Sequence, residues 1–499
     1  MRKKRLVWNS VSSLVLQIVT LISGFIIPPL IIGNFGSEVN GLVNSITQFI
    51  QFITLLEMGI GAVIQSALYE PLAKRDNAQI SRIMVSGQKF FTVIARILII
   101  YILILMMAYP LLVSGEFGWT YTASLIAISS ISSLAQYYFG AINGLLLTAD
   151  QRGYIRYGLS SLTIIFNTIA SYILLKLGFG IHVVKLSTSV IYLVRPILLR
   201  IYVNKHYRIN RKIKYEEEPL TQKWNGVAQH IAAIVLENTD TVVLTIFSTL
   251  SNVSIYSVYH LVIYGVKRIF DTITDGVMSL MGELWAKKEL DELTMLFSYT
   301  EWLIHTSTVL MFGCVSVLIC PFISVYTKGI SDVDYIVPTF ALVLTIAHAT
   351  HCLRMPYNIM ILAGNQFKQT QINYIVAAIL NLGISILCVH YLGLVGVAIG
   401  TLVAMAYQTI WMAIYVSKNL LKWPIRNFIK QILVDAGSFI CAYSLTKGIA
   451  MRSVTYASWI LLAIKDALIW LILVLAVNWF FYRSNISTIS KRAIRLVKK

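Results

Sequence analysis

Fourteen stretches of this chain stay apolar for roughly 20 residues or more, the length a helix needs to cross the hydrocarbon core of a bilayer. They run over 7–33, 39–68, 88–113, 119–148, 156–178, 182–204, 222–249, 253–284, 296–326, 335–363, 370–391, 393–417, 430–450 and 455–482. No water reaches that depth, so a continuous run must satisfy its backbone N–H and C=O groups internally, as a helix does. The expected fold is an all-α integral membrane protein with about 14 transmembrane helices. A composition of 57% hydrophobic and 13% charged residues excludes a soluble globular chain. The first run is too long for a signal-peptide core and has no small-residue cleavage site, so it reads as a retained helix. Cys314, Cys320, Cys352, Cys388 and Cys441 sit singly within spans, which indicates neither a disulfide framework nor a metal site.

The net charge of +19 is placed, not spread. Of the 41 Lys and Arg residues, 30 fall in alternate connections and at both termini, whereas the opposite connections hold only Lys176, Lys185, Lys328, Lys447 and Arg452. The positive-inside rule then sets both termini on the cytoplasmic side. Attraction to anionic lipid accounts for the basic balance, and no nucleic-acid partner is implied. Connections on the outer side are short, so no external catalytic domain is expected.

The chain also repeats itself. Trp8-Asn9 returns as Trp224-Asn225, and Glu70, Ala73 and Lys74 return as Glu283, Ala286 and Lys287. Asn143 and Gln151 return as Asn358 and Gln366, and Tyr202-Val203 as Tyr415-Val416, a shift near 214 throughout. Six spans per copy make the copies parallel repeats, and repeated halves in transporters place binding sites near mid-membrane. The expected organisation is an N-terminal six-helix lobe over 1–215 and a C-terminal six-helix lobe over 216–420. Two additional helices and a basic cytoplasmic tail follow over 421–499. The connection from Asn204 to Gln222, with Glu216 to Glu218, reads as a solvated linker on the membrane surface.

Charges inside spans are costly, about 2.5–3.5 kcal/mol each at helix centre, and usually face a cavity or a partner. The basic ones are Arg96, Arg195, Lys267, Arg268, Arg354 and Lys465; the acidic ones are Glu57, Glu237, Asp240, Asp271, Asp275 and Asp466. His348 and His351 join them, and the mid-membrane set is concentrated in the second copy. Lys267, Asp271 and Asp275 share one helical face, as an internal ion pair or a cavity lining. Glu237 and Asp240 read as a cation or proton site, or as a bridge to Lys267 or Arg268 on the next helix. The histidines read more readily as structural, while Arg354 lies one turn from Asn358, with Pro356 between. Glu301 and His305, beside Trp302, read as interfacial. No phosphate-loop sequence, no H-E-x-x-H and no soluble domain for a nucleotide-sugar site occurs, so a primary pump and a glycosyltransferase are not indicated. The chain does not read as an enzyme.

Two segments around span two, Leu55-Leu56-Glu57-Met58-Gly59-Ile60-Gly61-Ala62 and Tyr69-Glu70-Pro71-Leu72-Ala73-Lys74-Arg75-Asp76, resemble the polysaccharide repeat-unit flippases. That family belongs to the multidrug, oligosaccharidyl-lipid and polysaccharide exporter superfamily. Asn238 to Leu244, Ala363 to Gln366, Leu177-Gly178 and Leu392 to Ala398 are similar to its later motifs. Glu57 stands where the family more often has Asp. The resemblance implies two six-helix lobes in a V, two peripheral helices, and a bacterial cytoplasmic-membrane location. It implies a substrate, an undecaprenyl-pyrophosphate-linked oligosaccharide, moved outward for surface polysaccharide synthesis alongside polymerase and glycosyltransferase partners. On this reading Lys267, Arg268, Arg354 and Arg96 bind pyrophosphate, since its charge needs cationic partners. Glu237, Asp240, Asp271 and Glu57 are coupling candidates for H+ or Na+, with no bound cofactor. The alternatives are a lipid II flippase, which resembles a pattern with an arginine in span one, or a multidrug or cation antiporter, which has a carboxylate there. Span one here offers Gln17 as its strongest mid-membrane polar group.

Overall fold

The computed structural model describes residues 2–57, 59–113, 117–215, 218–220, 227–421 and 423–483. A few side chains within these ranges, Asp275 among them, lie outside the description, as do Met58, Glu216, Glu217, Gln222, Trp224-Asn225 and the basic tail beyond 483.

Among the described residues the expected all-α architecture holds. The helices are α1 (Arg2–Phe35), α2 (Ser37–Gln51), α3 (Ile60–Lys74), α4 (Asn77–Leu112), α5 (Trp119–Ala135), α6 (Ala141–Ala149), α7 (Gly153–Lys176) and α8 (Ile181–His206). They continue as α9 (Val227–Phe247), α10 (Leu250–Lys287), α11 (Leu290–Tyr326), α12 (Pro338–Ala363), α13 (Phe367–Leu392), α14 (Leu394–Asn419), α15 (Ile425–Thr446) and α16 (Tyr456–Phe481). A 3-10 turn (Phe52–Glu57) follows α2, and a π turn (Gln136–Gly140) joins α5 to α6. Eleven helical segments among the described residues are long and apolar enough to cross a membrane. The three long helices outside that set, α9, α10 and α12, are the ones carrying Glu237, Asp240, Lys267, Arg268, Asp271, His348, His351 and Arg354. The apolar helices leave large side chains uncovered, such as Met107 and Ile472 at 69% and 65% exposed, the surface of a multi-pass membrane protein.

The chain forms two compact units, Met1–Ile234 with Thr249–Ser254, and Val235–Ser248 with Ile255–Lys499. The repeat read from sequence recurs in backbone detail. Helix ends adopt left-handed conformations at Arg75 and Lys288 (φ 57° and 61°), at Gln151 and Asn365 (57° and 55°), and at Gly178 and Gly393 (79° and 53°). Such residues end a helix by satisfying its last carbonyls. The repeated Glu70–Lys74 and Glu283–Lys287 pairs each close at 2.5 Å.

In the first unit α1 packs along α7, and the core runs through Leu42, Ile46, Ile60, Ile64, Leu125 and Leu146. Asp150 ties the ends of this unit's helices together. It meets Arg5 at 3.6 Å and Arg152 at 2.9 Å, and accepts a hydrogen bond from the Tyr207 hydroxyl at 2.6 Å. Burial first, and then that carboxylate, holds the Tyr207 phenol above its ordinary range. The connection after α8 is exposed or half-buried along most of its length, as expected of a solvated linker, but it is also docked at several points. The Asn210 N–H donates to Ser81 Oγ at 3.0 Å, Lys89 lies over the Tyr215 ring, and Ser86 donates to Glu218. Leu220, 2% exposed, enters the core. Its apolar side chain and the polar residues of α4 dock the segment, a pairing invisible in a charge-rich sequence.

The second unit turns on glycines. Gly393, at φ 53° and ψ −126°, reverses the chain in one residue between α13 and α14, a conformation closed to other side chains. Gly396 and Gly400 then let α14 approach α13 closely. A Cβ on Gly396 would lie 2.4 Å from the Cys388 carbonyl oxygen; one on Gly400 would lie 2.2 Å from Ser385 Oγ and 2.9 Å from the Asn381 carbonyl oxygen. This is small-residue packing of membrane helices, and it brings Asn381 and Thr401 together.

The two helices without repeat counterparts, α15 and α16, clasp α11. Trp470 of α16 lies where a Cβ on Gly313 would fall, 2.0 Å from its ring. Glu301 and His305, expected at an interface, are instead 3% and 0% exposed. His305 Nδ1 meets Asp435 Oδ2 at 2.6 Å, while Glu301 accepts from the Tyr357 hydroxyl and from Trp423 Nε1. Tyr357 of α12 and Trp423 cover Glu301, and Asp435 of α15 covers His305, which nothing in α11 itself announces. Substituting Gly400→Ala should force α13 and α14 apart and cost about 1–3 kcal/mol. Thermal unfolding of the purified protein measures it, with Gly437→Ala, where a Cβ meets open space, as the neutral control.

Candidate functional site

Four helices of the second unit bring polar side chains to one pocket. Helix α9 contributes Glu237 and Asp240, three residues apart and so on one face. From α10 come Tyr256, His260, Tyr264 and Lys267, successive turns of a single stripe; α12 adds His348 and His351, and α14 adds Thr401 and Met405.

Its charges are arranged in two groups. Lys267, 3% exposed, donates to Glu237 Oε1 at 2.7 Å, while the Glu237 side chain remains 47% exposed. The bridge between neighbouring helices, one of the two sequence alternatives, is therefore the arrangement seen. The Lys267 ammonium also lies 5.2 Å from the Tyr264 ring centre, an added cation–π contact. Breaking such a pair strands a buried charge, which costs more than the pair itself contributes.

Asp240 is set differently. Its Oδ2 accepts from the Tyr256 hydroxyl at 3.0 Å and from Thr401 Oγ1 at 2.8 Å, while its buried Oδ1 has no partner. Asn381 Nδ2 donates to the same Thr401 hydroxyl at 3.1 Å, and Thr239 Oγ1 donates to Asn381 Oδ1 at 2.8 Å. A buried carboxylate held by two hydroxyls, with one oxygen unused, has the chemistry to take up a proton or a hard monovalent cation. Among the described residues no cluster suits a transition-metal ion.

Arg354, 7% exposed, lies beyond the pocket on α12. Its Nη2 meets His351 Nδ1 at 3.1 Å, and its Nε and Nη1 have no partner. A buried guanidinium with two unmet donors is an anion site in waiting. His351 acts as acceptor there, so it holds the side chain in place.

The other sequence candidates fall elsewhere. Arg268 is exposed, its guanidinium 4.9 Å from the centre of the same Tyr264 ring that Lys267 meets. Asp271 is half-buried one turn beyond Lys267. In the first unit Glu57 accepts from the Tyr137 hydroxyl at 2.7 Å, at the π turn, and Arg96 is exposed on α4. Arg195 donates to Gln136 of that same turn at 3.1 Å. Sequence reasoning missed Tyr256, His260, Tyr264, Thr401 and Asn381. The signal was present for α10, where Tyr256, His260 and Tyr264 recur every four residues.

No family model matches the chain, and no curated relative matches it. Solved structures share its fold. The lipid II flippase MurJ in an inward closed conformation aligns at TM-score 0.72 and 15% identity, over 96% of this chain and 100% of that one. An inward-facing multidrug resistance MATE family transporter of the MOP superfamily gives 0.61 and 16%, over 81% and 94%. The eukaryotic MATE transporter AtDTX14 gives 0.58 and 12%, over 88% and 98%. The chain has the fold of MOP-superfamily transporters.

A double-mutant cycle tests the Lys267–Glu237 pair. Glu237→Gln alone should destabilise the protein, and adding Lys267→Met should restore part of the loss. The expected coupling is on the order of 1–3 kcal/mol, read from thermal unfolding in lipid nanodiscs.

Proposed function

We propose that this protein is a flippase that moves an undecaprenyl-pyrophosphate-linked oligosaccharide across the bacterial cytoplasmic membrane for surface polysaccharide synthesis. The observation that carries the reading is the buried Arg354 guanidinium with two unmet donors, in the same unit as the Lys267 and Glu237 pair, on a transporter fold. A pyrophosphate entering hydrocarbon needs cationic, hydrogen-bonding partners already in place. Arg354 offers free N–H groups, and Lys267 is a second cation that can exchange Glu237 for phosphate. Arg268 and Arg96, both exposed, are the further cations assigned to the substrate. Its polyprenyl tail stays in lipid throughout.

Transport by alternating access requires the two ends of the cycle to differ in affinity for substrate or for a coupling ion. The Asp240 carboxylate with Thr401, Tyr256 and Asn381 is the proposed H+ or Na+ site. Glu237, Asp271 and Glu57 are the other coupling candidates. Glycosyltransferases that build the substrate and a polymerase that consumes it are the proposed partners.

A second reading, a lipid II flippase, is favoured by the alignment over the full length of MurJ. Both substrates carry a polyprenyl pyrophosphate, so the same cations serve either. The two readings part on the headgroup.

The test uses full-length protein in proteoliposomes with a fluorescent undecaprenyl-pyrophosphate oligosaccharide. Arg354→Gln, and separately Lys267→Gln with Arg268→Gln, should lower the flipping rate at least tenfold while membrane insertion is unchanged. Wild-type rates from both variants overturn the pyrophosphate assignment. Faster flipping of lipid II than of the oligosaccharide substrate supports the second reading instead. Asp240→Asn should abolish any stimulation by an imposed ion gradient.

A further inference from the structure

One side chain of the peripheral helix pair has no place in the proposed transport site. Asp466 is the eleventh residue of α16, so it lies about 15 Å along the helix from its start, near mid-membrane. It belongs to the stripe Leu462, Asp466, Trp470, Val474 and Asn478, the buried face of an otherwise lipid-facing helix. The other polar members of that stripe are satisfied. Trp470 Nε1 donates to Thr446 Oγ1 at 3.2 Å, and Asn478 Oδ1 accepts from Trp302 Nε1 at 2.8 Å and from Thr306 at 3.0 Å. Asp466 is 0% exposed, and neither carboxyl oxygen has a partner.

Among the described residues its surroundings supply no cation. On α11 the titratable group within electrostatic reach is Cys314. On α15 the carboxylate of Asp435 is engaged by His305 and Gln431, and Tyr443 packs in the apolar cluster around Trp470. Lys430 lies over Tyr482, and Arg426 is exposed near the start of α15. Lys465 on α16 itself is exposed and, as the adjacent residue, faces away. Among the described residues an ionised carboxylate held there has neither a hydrogen-bond donor nor a counter-charge, an arrangement membrane interiors do not sustain.

We propose that Asp466 is a proton-binding site: its carboxyl carries a proton while α16 lies against α11 and α15. Discharge of that proton requires water, so it is linked to parting of α16 from α11. A buried neutral carboxyl at mid-membrane is also a modification site for a lipid-soluble carbodiimide. The carboxyl oxygen bonds the central carbon as the acid proton passes to one nitrogen. The acyl group then migrates to nitrogen, giving a stable N-acylurea with no leaving group and no change of oxidation state.

Two measurements on the full-length protein in nanodiscs test this. Dicyclohexylcarbodiimide at neutral pH should add one reagent mass to the peptide containing Asp466, an adduct lost in Asp466→Asn. Infrared spectra of protein labelled with ¹³C-aspartate should show an isotope-shifted C=O band of a neutral carboxyl that Asp466→Asn removes. In Asp466→Glu the band should persist without the isotope shift, a control that stands if the Asn variant does not fold. Carboxylate bands alone at neutral pH, with no neutral-carboxyl band assigned to position 466, overturn the proposal whatever the labelling result.

Discussion

Lys267 held against Glu237 inside a membrane helix bundle is the contact on which the account of this protein turns. The Lys267 ammonium is almost fully buried, so its pairing with the half-exposed Glu237 ties α10 to α9 at that point. Once those helices are set, the α10 stripe of Tyr256, His260 and Tyr264 faces Asp240 and the histidines of α12. The glycines of α14 complete the arrangement by delivering Thr401 to the Asp240 carboxylate. Packing of small residues and pairing of charges therefore solve one problem together. Each places polar groups where hydrocarbon would otherwise leave them stranded.

The same constraint explains the accessory helices. They attach to α11 through buried polar contacts, His305 to Asp435 and Trp302 to Asn478, as well as through Trp470 over Gly313. Lipid gives little hydrophobic incentive for one helix to adhere to another, so hydrogen bonds and close packing hold such pairs. Asp466, on the same face but unpaired, is the exception that a proton resolves.

Much of the fold was legible in the sequence. Apolar run lengths located the helical segments, because backbone satisfaction in hydrocarbon permits little else. The repeat foretold paired turns, and Gly178 and Gly393 supply them with positive φ angles. The site was legible only by halves. Spacing put Glu237 with Asp240 and His348 with His351, but it left Lys267 open between a partner on its own helix and one on α9. Tyr256, Tyr264 and His260 escaped notice because aromatic residues in an apolar helix read equally well as packing. Glu301 and His305 read as interfacial because their covering partners, Tyr357 and Trp423 for one and Asp435 of α15 for the other, lie far along the chain. The repeat itself held one further clue: Asp271 stands 214 residues after Glu57, so a carboxylate recurs at that position while Lys267 and Arg354 have no charged counterpart in the first copy.

The central claim is that buried cations of the second unit select a lipid-linked substrate by its pyrophosphate. Native mass spectrometry of the wild-type protein tests it most directly. It compares an undecaprenyl-pyrophosphate oligosaccharide with the same oligosaccharide on the neutral polyprenol. The account predicts at least tenfold weaker binding once the pyrophosphate is removed. Equal affinity for the charged and neutral lipids would contradict it.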